Sequence, residues 1–290
     1  MSDPAPTFDL QAHSIYSDGE LPPAAVVAAA ARAGVELFAL TDHDSVDGVD
    51  EAIEAGSREG IAVVSGVEVS TIDEVHSDLH ILGYGVDSND VSLRATLERC
   101  RAERQLRAQR ISEALVELGF ALDERVLQAR VAEGKAVGRP HLAAAVVTHP
   151  DNAPRLEREG LTEASGFLEA YLIEGKPAFR AREAPSVTEA VDLIHEAGGV
   201  AIWAHPFWDV ADGAEVLRAL DRFARAGLDG VEAFYITHDR EQTRLLVEHA
   251  LSRGLLTTGS SDFHGPGHRA FNRFRAFQTF GLEPTLGTIG

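Results

Sequence analysis

"FDLQAHSIYSDGE", residues 8–20, begins as a strand and ends as a turn. Residues two apart on a strand point to the same face, so Gln11 and His13 are expected to share one pocket. Asp18 follows inside "SDG", a composition that suits a turn. Beyond it, Pro22 and Pro23 suit a helix start and Gly34 a helix end. A strand that delivers polar side chains at its end and then feeds a helix is the first unit of a β-α repeat.

The same unit recurs along the chain. Strand patterns are expected at 8–13, 35–41, 61–69, 78–86, 199–205, 228–234 and 255–263, with a further one at 275–280. Helical patterns fall at 22–33, 49–59, 186–197, 212–226 and 239–253, with glycines 60, 198, 227 and 254 at their ends. This alternation implies an α/β fold with a parallel sheet or barrel. Residues 91–180 break the rhythm. Residues 91–120 read as one long helix and two or three more follow. The expected organisation is a barrel made of 1–90 and 181–290, with 91–180 inserted as a helical cap domain over the barrel mouth.

Composition bounds the function. The chain has 290 residues, 44% hydrophobic, enough for a substantial core. Its single cysteine, Cys100, excludes an internal disulfide and fits a reducing compartment. The N-terminal residues lack a basic region followed by an apolar run, and "AAVVAAAA" (24–31) is too short to span a bilayer. The expectation is a cytoplasmic protein that acts without a membrane. A net charge of −20 argues against duplex DNA as a partner. It leaves a phosphorylated substrate open, because bound cations reverse the local field.

Nearly every strand pattern ends in acid or histidine. The first gives Gln11, His13 and then Asp18. The second gives Asp42, His43 and Asp44, and the third Glu68. The fourth region carries His76, Asp78 and His80. The fifth gives His205, and the seventh Asp262 and His264. In a β/α barrel these ends converge on one site. Imidazoles with carboxylates, and no thiolate, suit Mn²⁺, Fe²⁺ or Zn²⁺. Each residue also has a plainer reading. "SDG" is an ordinary turn, Asp42 and Asp44 suit helix caps (Asp44 is read as one), and His205 before Pro206 suits a core histidine. Glu68 resists such a reading, since an unpaired carboxylate in an apolar strand is costly. The recurrence at successive strand ends favours a metal site.

"DLQAHSIYSDG", "ALTDHDSVDG", "SGVEVS", "HILGYG", "WAHP" and "SSDFHG" occur in the order of the motifs of the PHP (polymerase and histidinol phosphatase) family, and the chain resembles it over residues 8–285. The resemblance implies a distorted (β/α)₇ barrel holding two or three divalent ions, with Mn²⁺ expected and Zn²⁺, Fe²⁺ or Mg²⁺ also admitted. By position, His13, Glu68 and Asp262 would hold a first ion, with Gln11 where the family usually has histidine. Glu68, His80 and His205 would hold a second, and Asp18, His43 and His264 a third. An amide oxygen at Gln11 would favour a harder ion and a more exchangeable first site.

The insert, with "GRPHLA" (138–143) and "YLIEGKPAF" (171–179), resembles the branch containing nucleoside 3′,5′-bisphosphate phosphatases, AMP phosphatases and 5′→3′ exoribonucleases that trim short RNA. The implied reaction is hydrolysis of a phosphate ester by a metal-bound hydroxide held by Glu68, Asp262 and His205. Arg139, His141, Lys176, His268 and Arg269 are the expected substrate-binding residues, with Arg180 and Arg182 as further cations. A protonated histidine could assist the leaving oxygen, with His238 and His268 as candidates. Six arginines in 94–110 read either as a solvated helix face or as a guide for RNA. The alternatives are a histidinol-phosphate phosphatase, a non-catalytic metal-bound module, and a nucleotide-binding protein without turnover.

Overall fold

The computed structural model describes residues 6–132 and 137–289. In chain order the elements are β1 (Phe8–Asp9), α1 (Pro23–Arg32), β2 (Leu37–Leu40), α2 (Val49–Glu59), β3 (Ala62–Thr71), β4 (Leu79–Tyr84), α3 (Val91–Glu117), α4 (Glu124–Ala132), α5 (Arg139–Val147), α6 (Ala153–Glu159), α7 (Ala164–Tyr171), α8 (Val187–Glu196), β5 (Val200–Trp203), α9 (Pro206–Asp209), α10 (Gly213–Arg225), β6 (Gly230–Tyr235), α11 (Arg240–Arg253) and β7 (Leu256–Ser260). The chain forms two compact units. One runs up to Glu98 and resumes at Pro185; the other is Arg99–Ala184.

The first unit is a seven-stranded sheet in the order β1-β2-β3-β4-β5-β6-β7. It curls until its edges nearly close: Leu10 N–H donates to Gly259 O at 3.2 Å and His13 N–H to Phe263 O at 2.8 Å. The expected helices form, because each apolar stripe covers the barrel wall. Val187, Val191 and Ile194 of α8 pack into the barrel core with Ile81, Ile202 and Trp203. Pro22 and Pro23 open α1, and Gly60 closes α2 at φ 76°, a backbone that favours glycine.

Two expectations are corrected. The sheet is mixed: β4 runs antiparallel to both β3 and β5. Residues 72–78 join β3 to β4 without a helix, and a parallel crossover needs a dozen or more residues. The reversal also places His80, near the start of β4, at the end of the barrel where the other strands finish. Residues 275–280 form no strand. Arg275 and Phe280 take left-handed backbones, φ 56° and 53°. The segment is instead pinned by Arg275 N–H to Asp9 Oδ2 at 2.8 Å and Ala276 N–H to Ser261 Oγ at 2.7 Å.

The second unit is helical. Its core gathers Phe120, Leu142, Val146, Leu156 and Phe167. Arg155 lies 3.8 Å from the Phe120 ring centroid and bonds Glu159 and Leu118 O, so this cation serves the unit's own packing. Within α3, Arg107 is buried and donates to Arg180 O at 2.7 Å, while Arg94 pairs with Asp47. Arg107 is therefore not a solvated cation, while Arg94 stays exposed. Among the described residues, no helix is long and apolar enough to cross a membrane.

Candidate metal centre

The strand ends bring the candidate residues together. Glu68 is fully buried near the end of β3, and its two oxygens face different partners. Oε1 stands 3.2 Å from His80 Nδ1 and 3.1 Å from His205 Nε2. Oε2 stands 3.2 Å from His13 Nε2 and 3.5 Å from His43 Nδ1. Asp262 closes one flank, with Oδ1 3.0 Å from His13 Nε2. Asp18 closes another, 3.4 Å from His264 Nε2 and 3.8 Å from His43 Nε2.

Three groups of ligand atoms are close enough to share an ion: His13, Asp18, His43 and His264; His43, Glu68 and His80; and His13, Glu68 and Asp262. The last is the expected first set. The others differ from expectation in placing His13 with the third group and His43 beside Glu68 and His80. His205 joins through Glu68 Oε1. Gln11 also reaches the cluster, with its amide nitrogen 3.0 Å from Glu68 Oε2. His76 lies elsewhere, 3.5 Å from Glu215 in an ion-pair network with Asp73 and Arg222.

The donors fit divalent ions. His13 Nε2 and Asp262 Oδ1 are buried and close to each other, yet neither meets hydrogen-bond geometry with a partner. Buried polar atoms normally are bonded, so two orphans that face one another suggest a shared cation. Asp262 Oδ2 is already held by Tyr235 O–H at 2.7 Å, and Asp262 O by His264 Nδ1 at 2.7 Å. That second contact leaves His264 Nε2 free to ligate, the usual arrangement of a metal-binding imidazole.

Electrostatics follow the same pattern. Burial alone would neutralise Glu68, but His43, His80, His13 and His205 hold its carboxyl well below the usual range. Burial opposes charge on His13, yet the Asp262 and Glu68 carboxylates facing its ring raise its pKa well above the ordinary value. Asp262 is lowered to about 2 against its burial, by His264 and His13.

A supporting ring of residues surrounds the cluster; Asp42 and Asp44 stood out in the sequence, Asp209 and Glu232 did not. Asp42 accepts from Ser14 N–H at 2.7 Å, Ser14 Oγ at 2.6 Å and Ser17 Oγ at 2.6 Å, so it shapes the loop carrying His13 and Asp18. Asp44 is no helix cap, correcting its reading; α2 starts after Gly48, and Asp44 holds the Ser70 N–H and hydroxyl at 2.8 Å each. Asp209 lies 3.5 Å from His205 Nδ1. Glu232, buried inside the barrel, accepts from His205 N–H at 2.9 Å and contacts Ser260 Oγ at 2.6 Å; burial pushes its pKa up to about 8. Its signal was present: an acid in the apolar strand "GVEAF", the same pattern that marked Glu68.

His238 and His268, the candidate proton donors, both have a lowered pKa. Burial pushes His238 down to about 4, and its Nδ1 bonds Ala233 O at 3.1 Å. Burial and the neighbouring His264 also lower His268, whose Nδ1 accepts from Phe271 N–H at 3.0 Å. His268 Nε2 therefore carries the hydrogen. Arg269 follows it on the exposed side of the same loop. Arg139, His141 and Lys176 belong to the helical unit. Arg139 opens α5, and His141 Nδ1 accepts from Gly138 N–H at 3.0 Å, closing that helix start.

The barrel and its clustered acids and imidazoles define a metal-dependent phosphoesterase. The PHP domain is matched over residues 9–136. The chain is 34% identical over 262 residues to a 5′-3′ exoribonuclease of Haemophilus influenzae, covering 89% of this chain and 90% of the relative. It is 32% identical over 260 residues to a 3′,5′-nucleoside bisphosphate phosphatase of Chromobacterium violaceum, covering 90% and 88%. It is also 34% identical over 265 residues to a phosphoribosyl 1,2-cyclic phosphate 1,2-diphosphodiesterase of Eggerthella lenta, covering 89% and 94%. The chain belongs to the PHP family.

Proposed function

We propose that this chain hydrolyses a phosphate ester of a nucleotide: a nucleoside 3′,5′-bisphosphate, AMP or a short 5′-phosphorylated RNA. The observation that carries the reading is Glu68, whose two oxygens face separate histidine groups as a carboxylate shared by two ions would. His13, Asp18, His43, Glu68, His80, His205, Asp262 and His264 would hold two or three divalent ions, with Mn²⁺ the favoured choice for imidazole and carboxylate donors without thiolate. Bound there, the ions supply Lewis acidity that acidifies water and neutralises phosphoryl charge.

The chain's own residues do the rest. Tyr235 and Asp209 orient Asp262 and His205. His268 offers a neutral N–H to a phosphoryl oxygen, and Arg269 a charge beside it. No side-chain nucleophile is needed. The two matched relatives that act on nucleotides or RNA support this substrate class; the third, named for a cyclic phosphate, makes a ribosyl phosphodiester the competing substrate.

The test is phosphate release with added Mn²⁺ from adenosine 3′,5′-bisphosphate, AMP, histidinol phosphate and a short 5′-phosphorylated RNA, with a ribosyl cyclic phosphate in parallel. Preference for a nucleotide or RNA is expected. Preference for histidinol phosphate or the cyclic ester would overturn the substrate and keep the chemistry. Silence on all, with folded protein and excess metal, would overturn the reading as a whole.

A further inference from the structure

Gln11 stands where the family usually places a metal-binding histidine, and its geometry points to a different task. The side chain is fully buried. Its Nε2 lies 3.0 Å from Glu68 Oε2, and its Oε1 lies 3.3 Å from Ser260 Oγ. Gln11 Nε2 donates to Glu68 Oε2, and an ionised carboxylate is suited to accept. Ser260 Oγ, which also stands 2.6 Å from Glu232 Oε1, contacts the amide oxygen on the side away from the Glu68 carboxylate.

We propose that Gln11 is a positioning residue that holds Glu68 through an N–H donated to Oε2, and that it is not itself a metal ligand. The proposal rests on the metal-centre reading above. The contact fixes the carboxylate plane, so that Oε1 faces His80 and His205 while Oε2 faces His13. It occupies one lone pair of Oε2 and leaves the other for an ion. The ion at His13, Glu68 and Asp262 then has no fourth ligand from position 11, and is the more exchangeable one.

Two measurements test this without relying on turnover. In crystals of the wild-type protein grown with Mn²⁺ and located by anomalous scattering, every Gln11 atom should lie outside coordination distance, with Nε2 still bonded to Glu68. A Gln11 oxygen within about 2.0–2.6 Å of an ion would overturn the proposal. By titration calorimetry, Gln11→Met, similar in length but without a donor, should weaken the weakest Mn²⁺ site by about 10- to 100-fold, as loss of a partner that orients a ligand does. Unchanged affinity in the folded variant would overturn it. Wild-type protein that binds no Mn²⁺ would overturn the metal reading and the proposal together, whereas Mn²⁺ ligated by Gln11 overturns the proposal alone.

Discussion

His205 Nε2 reaches Glu68 Oε1 at 3.1 Å from a left-handed backbone, φ 29° and ψ 55°. Asp262 at the end of β7 is also left-handed, φ 50°. Such a backbone costs a non-glycine residue about 1–3 kcal/mol and persists only where neighbours hold it. For His205 the holders are Glu232, which accepts its N–H, and Trp208, whose N–H bonds its carbonyl at 2.8 Å. The strain turns two side chains inward at the ends of their strands.

Glu232 therefore has a testable titration. Burial raises its folded-state pKa to about 8, from 4.5 for an exposed glutamate. The folded state then binds the proton more tightly. The resulting stability is fully present below about pH 4.5 and is lost as pH rises through about 8. Glu232 Oε2 accepts from His205 N–H, and its Oε1 contacts Ser260 Oγ. Gln at position 232 reproduces both contacts without a charge. In metal-free protein, urea denaturation should show Glu232→Gln gaining on wild type between pH 5 and 9, by the order of 3 kcal/mol. Parallel curves across that range would refute a neutral Glu232.

Glu68→Gln keeps the shape but replaces one acceptor oxygen by a donor. One of the two histidine groups then loses its carboxylate oxygen. Mn²⁺ content measured by mass spectrometry should fall by at least one ion, and phosphate release by at least about a hundredfold. Full metal content with normal turnover would remove Glu68 from the centre.

Asp42→Ala tests the loop that carries His13 and Asp18. It strips acceptors from the Ser14 and Ser17 donors, at about 1–3 kcal/mol for each group left buried and unbonded. We expect a loss of about 2–4 kcal/mol in stability and weaker Mn²⁺ binding by about tenfold or more. Gly19 in the same loop has no room for a side chain: a Cβ would stand 2.3 Å from His13 O. Wild-type metal affinity in Asp42→Ala would show that the loop is held by other contacts.

Much of this was legible in the sequence because each signal was local. The five barrel helices end just before Gly34, Gly60, Gly198, Gly227 and Gly254, α1 begins at its proline pair, and Gln11 and His13 both reach Glu68 Oε2. "SDG" proved to be a turn and a candidate ligand at once, since Gly19 N–H closes on Ser14 O at 2.9 Å while Asp18 faces His264. What failed was long-range. Asp44 looks like a helix cap until β3 arrives and Ser70 takes both its oxygens. The antiparallel β4 was readable from the short 72–78 link, but the β-α rhythm masked it. Residues 275–280 carry a strand-like pattern, yet Asp9 captures the Arg275 N–H and bends them away.

Metal binding itself should move protons. Burial disfavours charge on His13 and His205, but Asp262 and Glu68 beside the first, and Asp209 and Glu68 beside the second, hold both rings well above the ordinary histidine pKa. Without metal, both are protonated at pH 7. Mn²⁺ must displace those protons, so its affinity should climb with pH from 6 through 8 and beyond. Calorimetry at pH 7 in two buffers of different ionisation enthalpy should report net proton release. At a hundredfold excess over Kd, Mn²⁺ should stabilise the fold by about 2.7 kcal/mol per ion, raising Tm by about 5–10 °C. Binding without proton release would mean that the rings stand neutral in the free protein, and that the carboxylates do not hold them charged.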